Sequence, residues 1–213
     1  MRCIALLMIC AALGACSRPE PAKHLDLDLV RVPGNARMRT DTVGGGKFTD
    51  TATFVLVDAE NISDTGAYIT LGGSLTDASG AVTGALKPQS LWVPPKESRT
   101  FALVDAARQP RPDSTSAKIE VRGALIAEGP RARIENFQSF DDHGQIVVNA
   151  SVVNPSDRIG RIIVIAAFHE RDGRPITRPF SLVELKPKSR STVQFVGPAG
   201  AVRGTIFVGE ENY

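Results

Sequence analysis

Asp141-Asp142-His143 and His169-Glu170-Arg171-Asp172 are the two places where the sequence sets a histidine beside carboxylates. An imidazole with a carboxylate to orient it is what acid–base catalysis asks for, and such a group could also hold a metal ion. Neither stretch has the spacing of a zinc helix such as H-E-x-x-H. The first lies between strands ending at Phe140 and starting at Gln145 and is followed by Gly144, so its residues are those that turns select for backbone reasons. The second ends in Gly173 and reads as a solvated hairpin end. His24 stands in a third segment.

Nucleophiles and phosphate loops fare no better. No G-x-S-x-G is present. Gly44-Gly45-Gly46-Lys47 lacks the first glycine of a phosphate-binding loop, and Phe48 stands where the Mg²⁺-binding hydroxyl belongs, so the run reads as a hairpin loop. All three cysteines, Cys3, Cys10 and Cys16, fall in the first sixteen residues. The expectation is no enzyme: no catalytic residue, no cofactor and no metal ligands.

Binding residues are more open to reading. Trp92, the sole tryptophan, is either an exposed stacking platform for a sugar or a core plug near a strand end whose N–H reaches a carbonyl, with the core favoured. Arg171, Arg174 and Arg178 gather near one hairpin, with Arg131, Arg133 and Arg161 elsewhere in the same half. They form either an anionic contact surface or, with Glu170 and Asp172 beside them, an ordinary solvated edge, which is the reading preferred. With 25 basic and 23 acidic residues the formal charge is +2. That gives no electrostatic case for nucleic acid.

The elements that must position these residues are strands. Leu25, Leu27 and Leu29 alternate with Asp26 and Asp28, predicting a strand with one wet face. Phe54 to Val57 is apolar on both parities, as in a strand covered on both sides. Ile162 to Phe168 is the most continuous apolar run and is predicted to be a central strand. Nineteen Gly and 14 Pro with few helix-like windows also indicate short strands and turns.

The strands come as a repeat. Asn61-Ile-Ser-Asp and Asn154-Pro-Ser-Asp each open an apolar strand that closes in an acidic turn at Gly80 and Gly173, with the same spacing between copies. Further on, Pro95-Lys96 parallels Pro187-Lys188, and Phe101 parallels Phe195. This predicts two units, 24–127 and 128–213, joined by a short stiff linker at Glu128-Gly129-Pro130-Arg131. Six or seven short strands per unit indicate an immunoglobulin-like sandwich, and the lack of a Cys–Trp–Cys core excludes a true immunoglobulin domain. Exposed sheet edges and the Pro- and Ser-rich Arg108–Ser116 loop, which has no counterpart in the second half, are where a partner is expected.

The stretch from Ala150 to Phe195 resembles the FxLYD-type domain of bacterial envelope proteins, with Phe168 and Asp172-Gly173 at the family's aromatic and turn positions. His169-Glu170-Arg171 replaces the family's Leu-Tyr. In the first half Leu75 and Asp77 take the corresponding places. The resemblance implies the fold, and a binding or spacer role.

The leader carries a second resemblance. Arg2, an apolar run of about ten residues and small residues before Ser17 form a secretory signal, too short for the about 20 residues of a spanning helix. Leu13-Gly14-Ala15-Cys16 is similar to the lipobox of bacterial lipoproteins; a generic signal peptide with a chance cysteine is the alternative. The resemblance implies removal of residues 1–15, acylation of Cys16 and a lipidated tether over 16–23. Stable attachment takes more than one acyl chain. Ser17 after the cysteine implies the periplasmic face of the outer membrane. The mature chain would then hold no free thiol.

Together these give the expected fold class: all-β, two tandem immunoglobulin-like β-sandwich domains after a cleaved lipoprotein signal peptide. The expected function is a non-enzymatic interaction or scaffold module, held to the bilayer through acylated Cys16. It would contact an envelope protein partner, as an accessory to a transport or assembly machine. A glycan- or small-ligand-binding lipoprotein is the alternative.

Overall fold

The computed structural model describes residues 22–44 and 49–213; the signal residues Leu13, Gly14 and Ala15, the attachment residue Cys16 and the loop residues 45–48 lie outside them. The described residues form antiparallel strands almost throughout, with one 3-10 turn and no α-helix. No helix among them is long and apolar enough to cross a membrane. The fold is an all-β sandwich, as the alternation predicts.

In the first half, strand β3 (Asp50–Asn61) is central to one sheet. Strands β1 (Val30–Arg31) and β2 (Arg37–Val43) pair successively along one of its edges, and β6 (Ser98–Val104) pairs along the other. The facing sheet is β5 (Val82–Val93), β4 (Ala67–Thr76) and β7 (Ser116–Ile126), with β4 in the middle. Val55, Val57, Ile69, Leu71, Phe101 and Leu103 fill the space between the sheets. Each such side chain stabilises the fold by about 1.5–3 kcal/mol relative to leaving it in water.

The second half repeats the plan. Strand β9 (Gln145–Val153) lies between β8 (Arg133–Asp142) and β13 (Arg190–Val196). Strand β10 (Gly160–His169) lies between β14 (Arg203–Asn212) and the successive pair β11 (Pro175–Thr177) and β12 (Phe180–Leu185). The central position predicted for Ile162–Phe168 is the one it takes. No strand of one half pairs with a strand of the other among the described residues.

The Asn-x-Ser-Asp echo is a physical repeat. Asn61 and Asn154 are both fully buried at the ends of β3 and β9. Asn61 Nδ2 donates to the Thr65 and Val93 carbonyls, and Asn154 Nδ2 to those of Arg158, Leu185 and Lys186. Each Oδ1 accepts from the serine N–H two residues on. Lys96 and Lys188, both with positive φ, reach back to the Ile62 and Pro155 carbonyls. These bonds supply partners for the buried asparagine amides and for the turn carbonyls they reach, as burial of polar groups requires.

One expectation is corrected here, and the packing between the units adds to it. Leu25–Leu29 is not a strand: Asp26 Oδ1 accepts from the Asp28 N–H, and Leu27–Leu29 turns as a 3-10 helix that leaves Leu27 exposed. A short acidic side chain that bonds two residues ahead competes with the extended backbone. The two cores are also not separate. Strand β10 sends Ile162, Val164, Ala166 and Phe168 into its own sandwich. Its opposite face sends Ile165 and Ala167, with Phe207 of β14, into the core of the first half.

Candidate functional site

The seam between the halves brings together three buried polar side chains, Asp58, Thr100 and His169. The outer face of the β2–β3–β6 sheet carries Arg37, Arg39, Phe54, Leu56, Asp58 and Thr100, because these positions share one parity in the paired registers. The second half lies against this face. His169, the last residue of β10, is 3% exposed and points Nε2 at the Asp58 carboxylate, 3.2 and 3.3 Å from its two oxygens. The Thr100 hydroxyl donates to Asp58 Oδ1 at 2.6 Å and lies 3.3 Å from the same imidazole nitrogen. Asn35 Nδ2 donates to the Gly173 carbonyl at 2.8 Å, Arg37 pairs with Glu170, and Arg39 Nη1 donates to the Ile176 carbonyl at 3.0 Å.

This corrects the reading of His169 as part of a solvated turn. The turn begins one residue later, where the Glu170 N–H donates to the Arg174 carbonyl. His169 still pairs with Arg203 and Pro175 as a strand residue. Arg171 and Arg174 are exposed as expected, while Arg178 is not part of that edge. Its Nε donates to the Thr100 carbonyl at 2.6 Å, and its guanidinium sits 6.0 Å from the centre of the Phe207 ring. Arg99 covers the same ring at 5.1 Å.

Electrostatics follow from these contacts. Burial pushes the Asp58 carboxyl up, and hydrogen bonds from His169 and Thr100 with the neighbouring imidazole more than offset it, so the group titrates below its ordinary value. Burial draws Arg99 down against the opposing pull of Glu97. Burial alone brings Arg178 down to about 10, with no carboxylate partner to offset it.

As chemistry, the His169 group is a lock. A general base needs its acceptor nitrogen against the hydroxyl it would deprotonate. Here the Thr100 proton goes to the carboxylate, and Nε2 faces that same carboxylate, so this nitrogen is the donor. The other ring nitrogen, Nδ1, is buried with no hydrogen-bond partner among the described residues. Asp58 was missed as a partner. The signal available was a carboxylate on the same parity as Phe54 and Leu56, in a strand read as covered on both faces.

The remaining candidates stay apart from the seam lock. Asp141, Asp142 and His143 form the tip of the β8–β9 hairpin, with His143 and Gly144 both at positive φ and the His143 side chain 97% exposed. Asp141 Oδ1 accepts from the Gly144 N–H, which is the role turns give aspartate. His24 is exposed and bridges to Leu125 through backbone. Trp92 is half-buried rather than in the core. Its N–H does reach a carbonyl, that of Ala127 just before the linker, and its ring leaves no room for a Cβ at Gly66 or Gly129. The Arg108–Ser116 loop is tied down: Arg111 pairs with fully buried Asp105, and its N–H donates to Thr53 Oγ1.

Two clefts of about 530 and 630 Å³ open along the seam and share Gln89, Arg178 and Phe180 as walls. Both fall in the about 300–1,000 Å³ range of small-molecule sites. The free edge of β6 that borders them is already capped, since Gln89 Oε1 accepts from the Ala102 N–H and Arg178 donates to the Thr100 carbonyl. Among the described residues no group of three His, Cys, Asp or Glu is placed to hold a metal ion.

No protein-family model matches the chain, and no curated protein matches it. Among solved structures it is similar to red sea bream transglutaminase, with a TM-score of 0.27 and 10% identity, over 81% of this chain and 29% of that one. The chain thus spans less than a third of that structure's length, and a likeness at this score carries no argument about activity.

Proposed function

We propose that this chain is a lipid-anchored cell-envelope protein that works by binding rather than by catalysis. The anchor rests on Leu13-Gly14-Ala15-Cys16 behind a short apolar run, and the second half's likeness to FxLYD-type envelope domains is consistent with it. Residues 24–127 and 128–213 are the two sandwich units in this reading, and Cys16 holds both to the periplasmic face of the outer membrane. Binding is supported by one observation above others: the histidine–carboxylate pair is consumed in joining the halves, while the two larger clefts open along the same seam with neither residue in their walls. The partner is then met at the seam and not at the Arg108–Ser116 loop, whose arginine and backbone are engaged internally.

A photocrosslinking residue at Phe180, which is 54% exposed at the clefts, tests this in cells, with Val82, 68% exposed in the first half and lining neither cleft, as control. Adducts in the envelope fraction from position 180, retained when His169 is changed to Gln, are the expected result. Adducts from position 82 alone would move the working surface elsewhere, and loss of adducts with His169→Gln in a folded protein would return the imidazole to a chemical role.

A further inference from the structure

Of the two cations lining the seam clefts, Arg39 and Arg178, the second has no carboxylate partner among the described residues. Arg39, across the second cleft, already holds Asp41 and the Ile176 carbonyl. Arg178 uses Nε on the Thr100 carbonyl, and its Nη2 is buried with no partner among the described residues. A buried charge without a partner is destabilising unless something completes it. Part of the lining is apolar: Phe54, Leu56, Ala102 and Val104 in one cleft, Ile165 in the other, and Phe180 in both. Phe180 and Leu182 of β12 also stay about half exposed, at 54% and 53%.

We propose that the seam binds a singly charged amphiphile, a carboxylate on an unbranched aliphatic body, with the carboxylate on Arg178 and the body laid over Leu56, Val104 and Phe180. This rests on the binding reading above and names the class of ligand. The charge follows from the surroundings: one uncompensated guanidinium stands among Asp41, Glu210 and Glu211, so a second negative charge on the ligand would meet carboxylates. A carboxylate is a strong acceptor for a guanidinium N–H, and with Nε on the Thr100 carbonyl and Nη2 enclosed, Nη1 is the donor left for it. The aliphatic body follows from the capped β6 edge. An extended peptide draws its affinity from unpaired strand groups, and here the Ala102 N–H and the Thr100 carbonyl are already taken by Gln89 and Arg178.

Isothermal titration of the full chain carrying Cys16→Ser, so that no acyl chain of its own competes, tests this with decanoate as the probe. Decanoate should bind with one-to-one stoichiometry, and decanol, acetate and decyl phosphate each at least about tenfold more weakly. Arg178→Gln should weaken decanoate by at least about tenfold and leave decanol unchanged, because one charge-assisted contact is worth about that factor. Phe180→Ala should weaken decanoate and decanol alike. If Arg178→Gln does not fold, the Arg178 Nε–H resonance of the parent protein should move on adding decanoate and stay still with decanol. Equal affinity for decanoate and decanol, or an unchanged Arg178→Gln, would overturn the proposal. Tighter binding of a leucine-ended peptide with a free carboxylate would overturn it in favour of a protein partner. Failure here with Cys16 found acylated in cells leaves the anchoring reading intact, and binding of decanoate with Cys16 unmodified does the reverse.

Discussion

Asn154→Ala is the substitution whose cost the structure defines best. The side chain is fully buried and its Nδ2 serves the carbonyls of Arg158, Lys186 and Leu185 at 2.8, 3.0 and 3.3 Å, while Oδ1 takes the Ser156 N–H at 2.9 Å. Two amide hydrogens divided among three carbonyls make the Leu185 contact the weak one, which leaves three well-formed bonds. Each is worth about 1 kcal/mol, and leaving a buried partner unpaired adds to that, so the loss should be about 3–4 kcal/mol. For a chain of this size that lowers the melting temperature by roughly 10 °C. Thermal and urea unfolding followed by circular dichroism measure it. Asn149, on the strand that Asn154 follows, makes no side-chain hydrogen bond among the described residues, and its Oδ1 is buried unpaired, so Asn149→Ala is the control and should be near neutral. Asn61→Ala should cost about as much as Asn154→Ala. A loss under about 1 kcal/mol at Asn154, or equal losses at Asn149 and Asn154, would refute the reasoning that the turn is held by this side chain.

Further outcomes follow from the seam and the linker. Gly129→Ala places a Cβ 2.7 Å from the Trp92 ring, so the indole should leave the linker and its fluorescence should shift to the red; an unchanged spectrum would contradict the packing. Asp58 titrates below 3.8 in the folded chain, so the stability its charge contributes is complete above that value and disappears as pH falls through the folded value. Between about pH 5 and pH 2 the urea midpoint of the parent should therefore fall more steeply than that of Asp58→Asn, and parallel curves would refute this. The fragment 128–213 alone would expose Ile165, Ala167 and Phe207, so it should bind hydrophobic dyes and melt well below the full chain. Matching melting curves would restore two independent cores.

The fold class was legible because alternation and turn residues are local properties. Strand β10 as a central strand, the hairpin at His143-Gly144 and the duplicated asparagine turns could each be read from a few residues. The seam was not legible, because it is made by residues distant in sequence. His169 looked like turn chemistry beside Glu170 and Asp172, and only the docking of Asp58 against it shows a buried strand end. Arg178 sat in a run of arginines near a hairpin, and nothing local distinguishes the one that turns inward over Phe207 from Arg171 and Arg174. Asp26 and Asp28 misled in the opposite direction, since the alternation of a strand also suits an aspartate-capped turn.

The anchored-binder account is most directly tested by an intact mass spectrum of the protein recovered from the envelope fraction. The account predicts a chain that begins at Cys16 and carries the added mass of its acyl chains, with Cys16→Ala leaving the leader uncut and the acyl mass absent. A mature chain beginning at any other residue, or an unmodified Cys16, would contradict it.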